Sequence, residues 1–298
     1  MDIFSDFWIT YGSVVQFVLI NMILGISIYF TLYTGLLSLA NAGFMAVGAY
    51  VSALLSIHTG LPFAACLLVG ALAAALVGLL LGLPVLRLRD VYLAIATLGF
   101  GEIVRIIAIN FDKFAKVELL GGSQGLAGVP KLTTPWALLI TLGLLSVLLI
   151  QMQRSRFGRA LAAIRSDENV AASMGIDVFR HKVIAFVLGA FVAGLAGGFS
   201  AHLTRFVGPN EYGFNAAVNI LSFAVLGGTL HWAGALVGAA ILTILPEALR
   251  FMNEYRGIVN GVILILVIIY LPHGLVNPQW LRKLFRRKEA ADAGTQPG

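Results

Sequence analysis

The chain is 298 residues long, 59% hydrophobic and 11% charged, with a mean hydropathy of +0.92. Soluble domains carry about 25% charged residues, so a water-soluble globular fold is excluded, and the recurring apolar runs of about 20 residues are those of membrane-crossing helices. The runs are continuous rather than alternating, which excludes a β-barrel, and the net charge of +6 reads as loop bias toward an anionic cytoplasmic leaflet rather than as nucleic-acid binding.

Residues 1–12 are polar and aromatic and read as an interfacial lead-in, with Phe7, Trp8 and Tyr11 at headgroup depth. Asp2 and Asp6 precede any Lys or Arg, so the start lacks the basic region of a cleaved signal peptide. The first span is expected over 13–37, with Gln16 and Asn21 as uncharged interhelical hydrogen-bonding groups. Ser38, Asn41 and Gly43 then break the apolar run before a second span continues to residue 57. Irregular backbone at membrane depth is tolerated only where protein or a water-filled cavity satisfies it. The break is therefore either a tight turn between two spans or a broken helix beside a translocation path.

The third span, 63–83, carries Gly78 and Gly82 at the spacing that lets helices approach closely. Pro84 ends it, and Arg87 and Arg89 mark a cytoplasmic turn. The fourth, 91–110, places Glu102 and Arg105 on one helical face, a self-neutralising pair where isolated charge is costly. In the polar loop 111–134, the Gly-rich stretch 120–130 is turn chemistry. It is not a phosphate loop, because no Lys-Ser/Thr pair follows and no strand–helix context surrounds it. The fifth span is 135–152.

The stretch 154–182 is the longest charged connection between two apolar runs, and Arg154, Arg156, Arg159, Arg165, Arg180 and Lys182 place it inside the cell. Helix formers fill 158–174. Asp167 and Glu168 support the start of a second short helix, and Gly175 stands where a C-cap glycine would. Such a stretch is either a solvated connector or a docking element for a cytosolic partner. A sixth span, 183–203, repeats the close-packing pattern at Gly194 and Gly198. The seventh, 214–227, carries Asn215 and Asn219; an eighth runs over 234–252 and a ninth over 257–271. Residues 279–298 form a tail that begins basic and ends small, polar and disordered. The expected fold is all-α, a polytopic transmembrane helical bundle of about nine spans occupying 13–278. With the N-terminus outside, every strong Lys/Arg cluster falls inside.

Several segments are distinctive. Residues 35–50, YLAIATLGFGEIVR at 92–105, and 121–130, 158–175, 201–209, 225–245 and 264–275 together resemble the permease subunits of bacterial branched-chain amino acid ABC importers, of the LivM type. The resemblance implies a multi-pass protein of the bacterial inner membrane that shares a pathway with a second homologous permease subunit. It further implies two cytosolic ATPase subunits that use ATP and Mg, and an external solute-binding protein, for which 120–130 is a candidate surface. The chain itself would hold no cofactor and catalyse no reaction. By the same resemblance, 158–175 supplies a coupling helix seated in an ATPase groove, with Arg165, Asp167, Glu168, Ala171, Ala172 and Gly175 in that position. The signature general to ABC importers, Glu-Ala-Ala followed by three residues and Gly, is not matched: only two residues separate Ala172 from Gly175, and Glu168 is not adjacent to the alanines.

A zwitterionic solute needs donors, acceptors and an apolar pocket. Ser38, Asn41, Thr97, Glu102, Asn215 and Asn219 are the polar groups expected along the path, each equally suited to helix–helix hydrogen bonding. Urea and amide importers have similar permeases, so the resemblance leaves the solute open. A self-sufficient secondary transporter would bury unpaired charge near the midplane, whereas Glu102 has Arg105 close by and Glu247 has Arg250. A membrane enzyme is poorly supported, since the five histidines are scattered and Cys66 is the single cysteine.

Overall fold

The computed structural model describes residues 2–116, 119–228, 231–248 and 261. The helices are α1 (Asp2–Tyr33), α2 (Asn41–His58), α3 (Phe63–Val85), α4 (Asp90–Ala115), α5 (Pro135–Arg154), α6 (Arg156–Ser166), α7 (Glu168–Ser173), α8 (Val178–Thr204), α9 (Phe214–Gly227) and α10 (Trp232–Ala248). Two short strands, β1 (Leu126–Ala127) and β2 (Phe206–Val207), pair antiparallel.

Helix boundaries follow local chemistry. Thr134 caps α5 by accepting from Ala137 N, with Pro135 at the first helical position, where its missing N–H costs nothing. Ser155, Asp167 and Asp177 cap α6, α7 and α8 in the same way. Six helices, α1–α5 and α8, hold apolar spans long enough to cross a membrane, from 18 residues in α2 to 27 in α8. The span in α1 begins at Tyr11, and the expected interfacial lead-in is helix continuous with it rather than a separate element.

α8 is the axis of the bundle. Its span is 78% buried, against 28% for α4 and 22% for α5, which lie at the periphery. Small residues make this possible, as the 194/198 spacing anticipates. A Cβ at Gly48 would lie 2.2 Å from Gly194 O, and one at Gly194 would lie 2.6 Å from Ala74 Cβ, so α2 and α3 both touch the α8 backbone. On the opposite side of α3, Leu68, Leu72, Leu76 and Leu80 form an exposed row suited to lipid.

Of the nine expected spans, six are long enough to cross a membrane among the described residues. α9 has 14 residues, about 21 Å of helix against a hydrocarbon core of about 30 Å, and α10 is described as far as Ala248. The shortness of α9 has a cause. After α8 the chain folds back into the bundle through a 3-10 turn, Pro209–Tyr212, with Tyr212 buried beside Tyr50. α9 therefore begins next to Glu102, well along α4 rather than at its end. Its last turn packs backbone to backbone on the start of α10 at Gly227 and Gly234. Among the described residues the bundle thus has six long helices, the short α9 and the described part of α10; the end of the expected eighth span, the ninth span and the basic tail lie outside the described residues.

Candidate functional site

One end of the bundle gathers the basic turns. Thr34–Leu37, Leu88–Val91, Ile164–Asn169 and Lys182 line one cavity of about 500 Å³, beside a second of about 280 Å³ lined by Arg87, Ala172 and Phe179 among others. The stretch 154–178 is folded onto this end as two helices. α6 buries Gly158, Leu161 and Ile164 and turns its polar residues outward. α7 is held by a cap at each terminus. Asp167 Oδ1 accepts from Asn169 N and Val170 N. At the other end Gly175, with φ +83°, closes a Schellman motif in which Gly175 N donates to Ala172 O and Ile176 N to Ala171 O.

The six residues expected at the coupling contact divide into inward and outward groups. Ala171 is buried, and Glu168 reaches back to pair with Lys182 of α8. Arg165, half-buried at the end of α6, lies against Gly35, and its guanidinium is within electrostatic reach of Tyr29 and Tyr33. Asp167 uses its carboxylate in the cap. Ala172 and Gly175 face outward. The outward apolar surface of α7 is Val170 and Met174, 54% and 76% exposed. Neither was singled out from the sequence, although their spacing of four puts them on one helical face, a readable sign once a six-residue helix is placed there.

The break after α1 begins with a turn at residues 34–35, where Gly35 has φ +80°, and continues through residues 36–39, which adopt no regular structure. Residues 36–40 run past α4, where Leu39 N donates to Thr97 Oγ1 at 3.0 Å, and Ala40 N donates to Ser38 Oγ at 3.2 Å. Asn41 opens α2; its Nδ2 donates to Ser27 Oγ, which in turn donates to Gly189 O of α8 at 2.9 Å. Ser38, Asn41 and Thr97 are thus brought together and buried, and Asn41 Oδ1 is left without a hydrogen-bond partner in a buried position. An unsatisfied buried carbonyl oxygen is costly and marks a place able to accept a proton donor from a solute or a water.

Glu102 and Arg105 form the pair their spacing implies, at 3.1 Å, and both reach beyond it. Arg105 Nη2 donates to Asn210 Oδ1 at 2.8 Å, and Glu102 Oε1 accepts from Phe214 N at 3.0 Å, so the pair ties α4 to the turn before α9 and caps that helix. Each keeps about a third of its side chain exposed. Asn215 and Asn219 lie one turn apart on the exposed face of α9. The structure therefore gathers Ser38, Asn41 and Thr97 at the break, and leaves Glu102, Asn215 and Asn219 partly or fully exposed along α4 and α9.

At the opposite end, β1–β2 ties the Gly-rich loop to the end of α8, and His202 bridges Ser52 Oγ and Pro130 O. Asp112 accepts from Leu119 N and Leu120 N, and the loop lines a cavity of about 600 Å³.

A family model described as the permease component of the branched-chain amino acid transport system matches residues 10–268. The chain is 35% identical to the high-affinity branched-chain amino acid transport system permease protein LivM of Escherichia coli (strain K12), over 93% of this chain and 70% of that one. It is 33% identical to the corresponding permease protein LivH of Salmonella typhimurium, over 56% of this chain and 54% of that one. Likewise it is 30% identical to BraD of Pseudomonas aeruginosa, over 45% of this chain and 44% of that one. No solved structure matches the chain.

Proposed function

Because the chain belongs to the family of branched-chain amino acid transport system permease components, we propose that it forms half of the membrane pathway of an ATP-driven importer for branched-chain or similarly hydrophobic amino acids. A second homologous permease subunit completes the pathway; the similarity to proteins named LivM and LivH, two permeases of one kind of system, supports that pairing. Two cytosolic ATPase subunits hold the ATP and Mg, an external binding protein delivers the solute, and the bacterial inner membrane is the site of action.

The observation that carries this reading is the pair α6–α7. A six-residue helix capped at both ends buries Ala171, but the exposure of its Val170 and of the C-cap Met174 has no packing reason within the chain. A partner groove supplies one, and Ala172 and Gly175 beside the two apolar residues leave room for close approach. Arg165, Glu168 and Ala171 hold the lever to the bundle, and Asp167 caps it. ATP-driven closure of the partner then moves α7 as a rigid body against α1 and α8.

For the solute, Glu102, Asn215 and Asn219 face the pathway, and Ser38, Asn41 and Thr97 stand behind them as the support that shifts when the lever moves. At the outer end the 120–130 loop is the surface for the binding protein. The short α9–α10 pair enters and returns on one side, so counting it as two crossings or as one re-entrant pair leaves the same orientation, with the basic tail inside.

The test is purification through a tag on this chain followed by reconstitution. ATPase subunits are expected to co-purify, and leucine uptake into liposomes is expected to require ATP and Mg. Uptake that proceeds without nucleotide and follows a proton gradient would overturn the reading.

A further inference from the structure

We propose that Lys182 is a positioning residue through which movement of α7 is delivered to α8; the proposal rests on the reading of α6–α7 as the coupling element. Lys182 lies in the second turn of α8, with its side chain 8% exposed, whereas Arg180 nearby is 80% exposed. Its ammonium is paired with Oε1 of Glu168, the first residue of α7. Glu168 and Lys182 line both cavities at this end, so the pair forms the partition between two hollows of about 500 and 280 Å³. α7 is thereby joined to the bundle across otherwise open space by one ion pair and the buried Ala171. A cation this enclosed requires its partner's carboxylate, so the two ends of the link move together or leave a buried charge uncompensated.

From Lys182 the connection continues through hydrogen-bonded and packed groups. α8 carries it two turns further to Gly189, whose carbonyl oxygen accepts from Ser27 Oγ, and Ser27 Oγ accepts from Asn41 Nδ2 at the start of α2. A tilt of α8 is therefore delivered to the break beside Thr97. A buried ion pair can instead serve only to neutralise a lysine near the membrane surface. In that case its loss would lower stability without changing how hydrolysis and transport are linked.

The experiment uses the importer purified with its ATPase subunits and reconstituted in liposomes, scoring ATP hydrolysed per leucine moved. In Lys182→Met and Glu168→Gln this ratio is expected to rise about fivefold or more, the scale of a lost coupling between sites. Lys182→Arg, and the exchange Lys182→Glu with Glu168→Lys, are expected to bring it back. A second measurement does not depend on the solute: hydrogen exchange of residues 183–190 is expected to change on adding ATP and Mg in the wild type but not in Glu168→Gln. Glu168 is half exposed, so its variant keeps the test open if Lys182→Met fails to insert. A wild-type ratio together with a wild-type exchange response in both single variants, or an exchange pair no better than either alone, overturns the proposal. Absence of ATPase subunits from the wild-type preparation overturns the coupling reading and the proposal with it.

Discussion

Thr97 works in two directions. Its hydroxyl donates within α4, to Leu93 O or Ala94 O, and accepts from Leu39 N in the break between α1 and α2. Thr97→Val keeps the shape and removes the acceptor, leaving a part-buried N–H unpaired at a cost of about 1–3 kcal/mol. Thr97→Ser is expected to retain most of the stability, and the thermal midpoints of both in detergent decide the matter. Glycines allow a sharper contrast. A Cβ at Gly48 meets Gly194 O, so Gly48→Ala forces α2 and α8 apart, at about 1–3 kcal/mol of overpacking. Nothing stands within 4 Å of a Cβ at Gly99, so Gly99→Ala is expected to stabilise α4 by about 0.5–1 kcal/mol. If it nonetheless slows transport, that face of α4 is used in the assembled importer. At this scale the sequence reading was partial. Ser38, Asn41 and Thr97 stand out as polar residues in an apolar run; Ser38 serves Ala40 N two residues on, but the partners of Asn41 and Thr97 across the bundle, Ser27 Oγ and Leu39 N, carry no local signal.

α7 is the element on which the proposed coupling most depends, and its termini can be tested separately. Asp167→Ala removes the acceptor for Asn169 N and Val170 N, at about 1 kcal/mol. Gly175→Ala places a Cβ at φ +83°, costing about 1–2 kcal/mol. In both variants faster hydrogen exchange is expected across 169–174 while α8 is unchanged. Gly175→Trp and Arg165→Glu, which add bulk on the partner side and reverse charge on the α1 side, are expected to leave the protein inserted and its transport uncoupled from hydrolysis. Normal transport by both in reconstituted vesicles would refute the coupling role. The caps were legible because capping is local: Asp167, Glu168 and Gly175 announce a short helix within nine residues. The exposure of Val170 and Met174 was not, since a sequence does not say which side of a six-residue helix its neighbours cover. α9 shows the same divide. Its bounds were read correctly, but its start at mid-depth depends on Glu102, more than a hundred residues away. Glu102→Ala leaves Phe214 N unpaired and is expected to speed exchange in the first turn of α9.

For the whole molecule, orientation is the property most open to test. Cys66 is buried and gives little background labelling. A cysteine at Met174 is expected to react with an impermeant reagent only from the cytoplasmic side, and one at Ser123 only from outside. The reverse pattern would invert the molecule and remove α7 from the reach of any cytosolic ATPase. The two ends also differ in build. The end that bears the Gly-rich loop is tied by β1–β2 and His202, whereas the basic end holds α7 beside two cavities. That difference suits the proposed drive from the cytosol.

Composition and hydropathy alone determined that this chain is helical and membrane-spanning, because a bilayer screens each segment by its own length and polarity without regard to neighbours. Segment length and capping residues likewise located most helix ends. Tertiary structure alone decided that α8 is the axis, that the break is braced by Thr97, and that α9 begins part-way through the bundle. It also decided that Lys182 is buried against Glu168. These depend on which helices meet, and helix contacts in lipid are chosen by shape and by hydrogen-bond partners far apart in the chain rather than by apolarity, which every span shares.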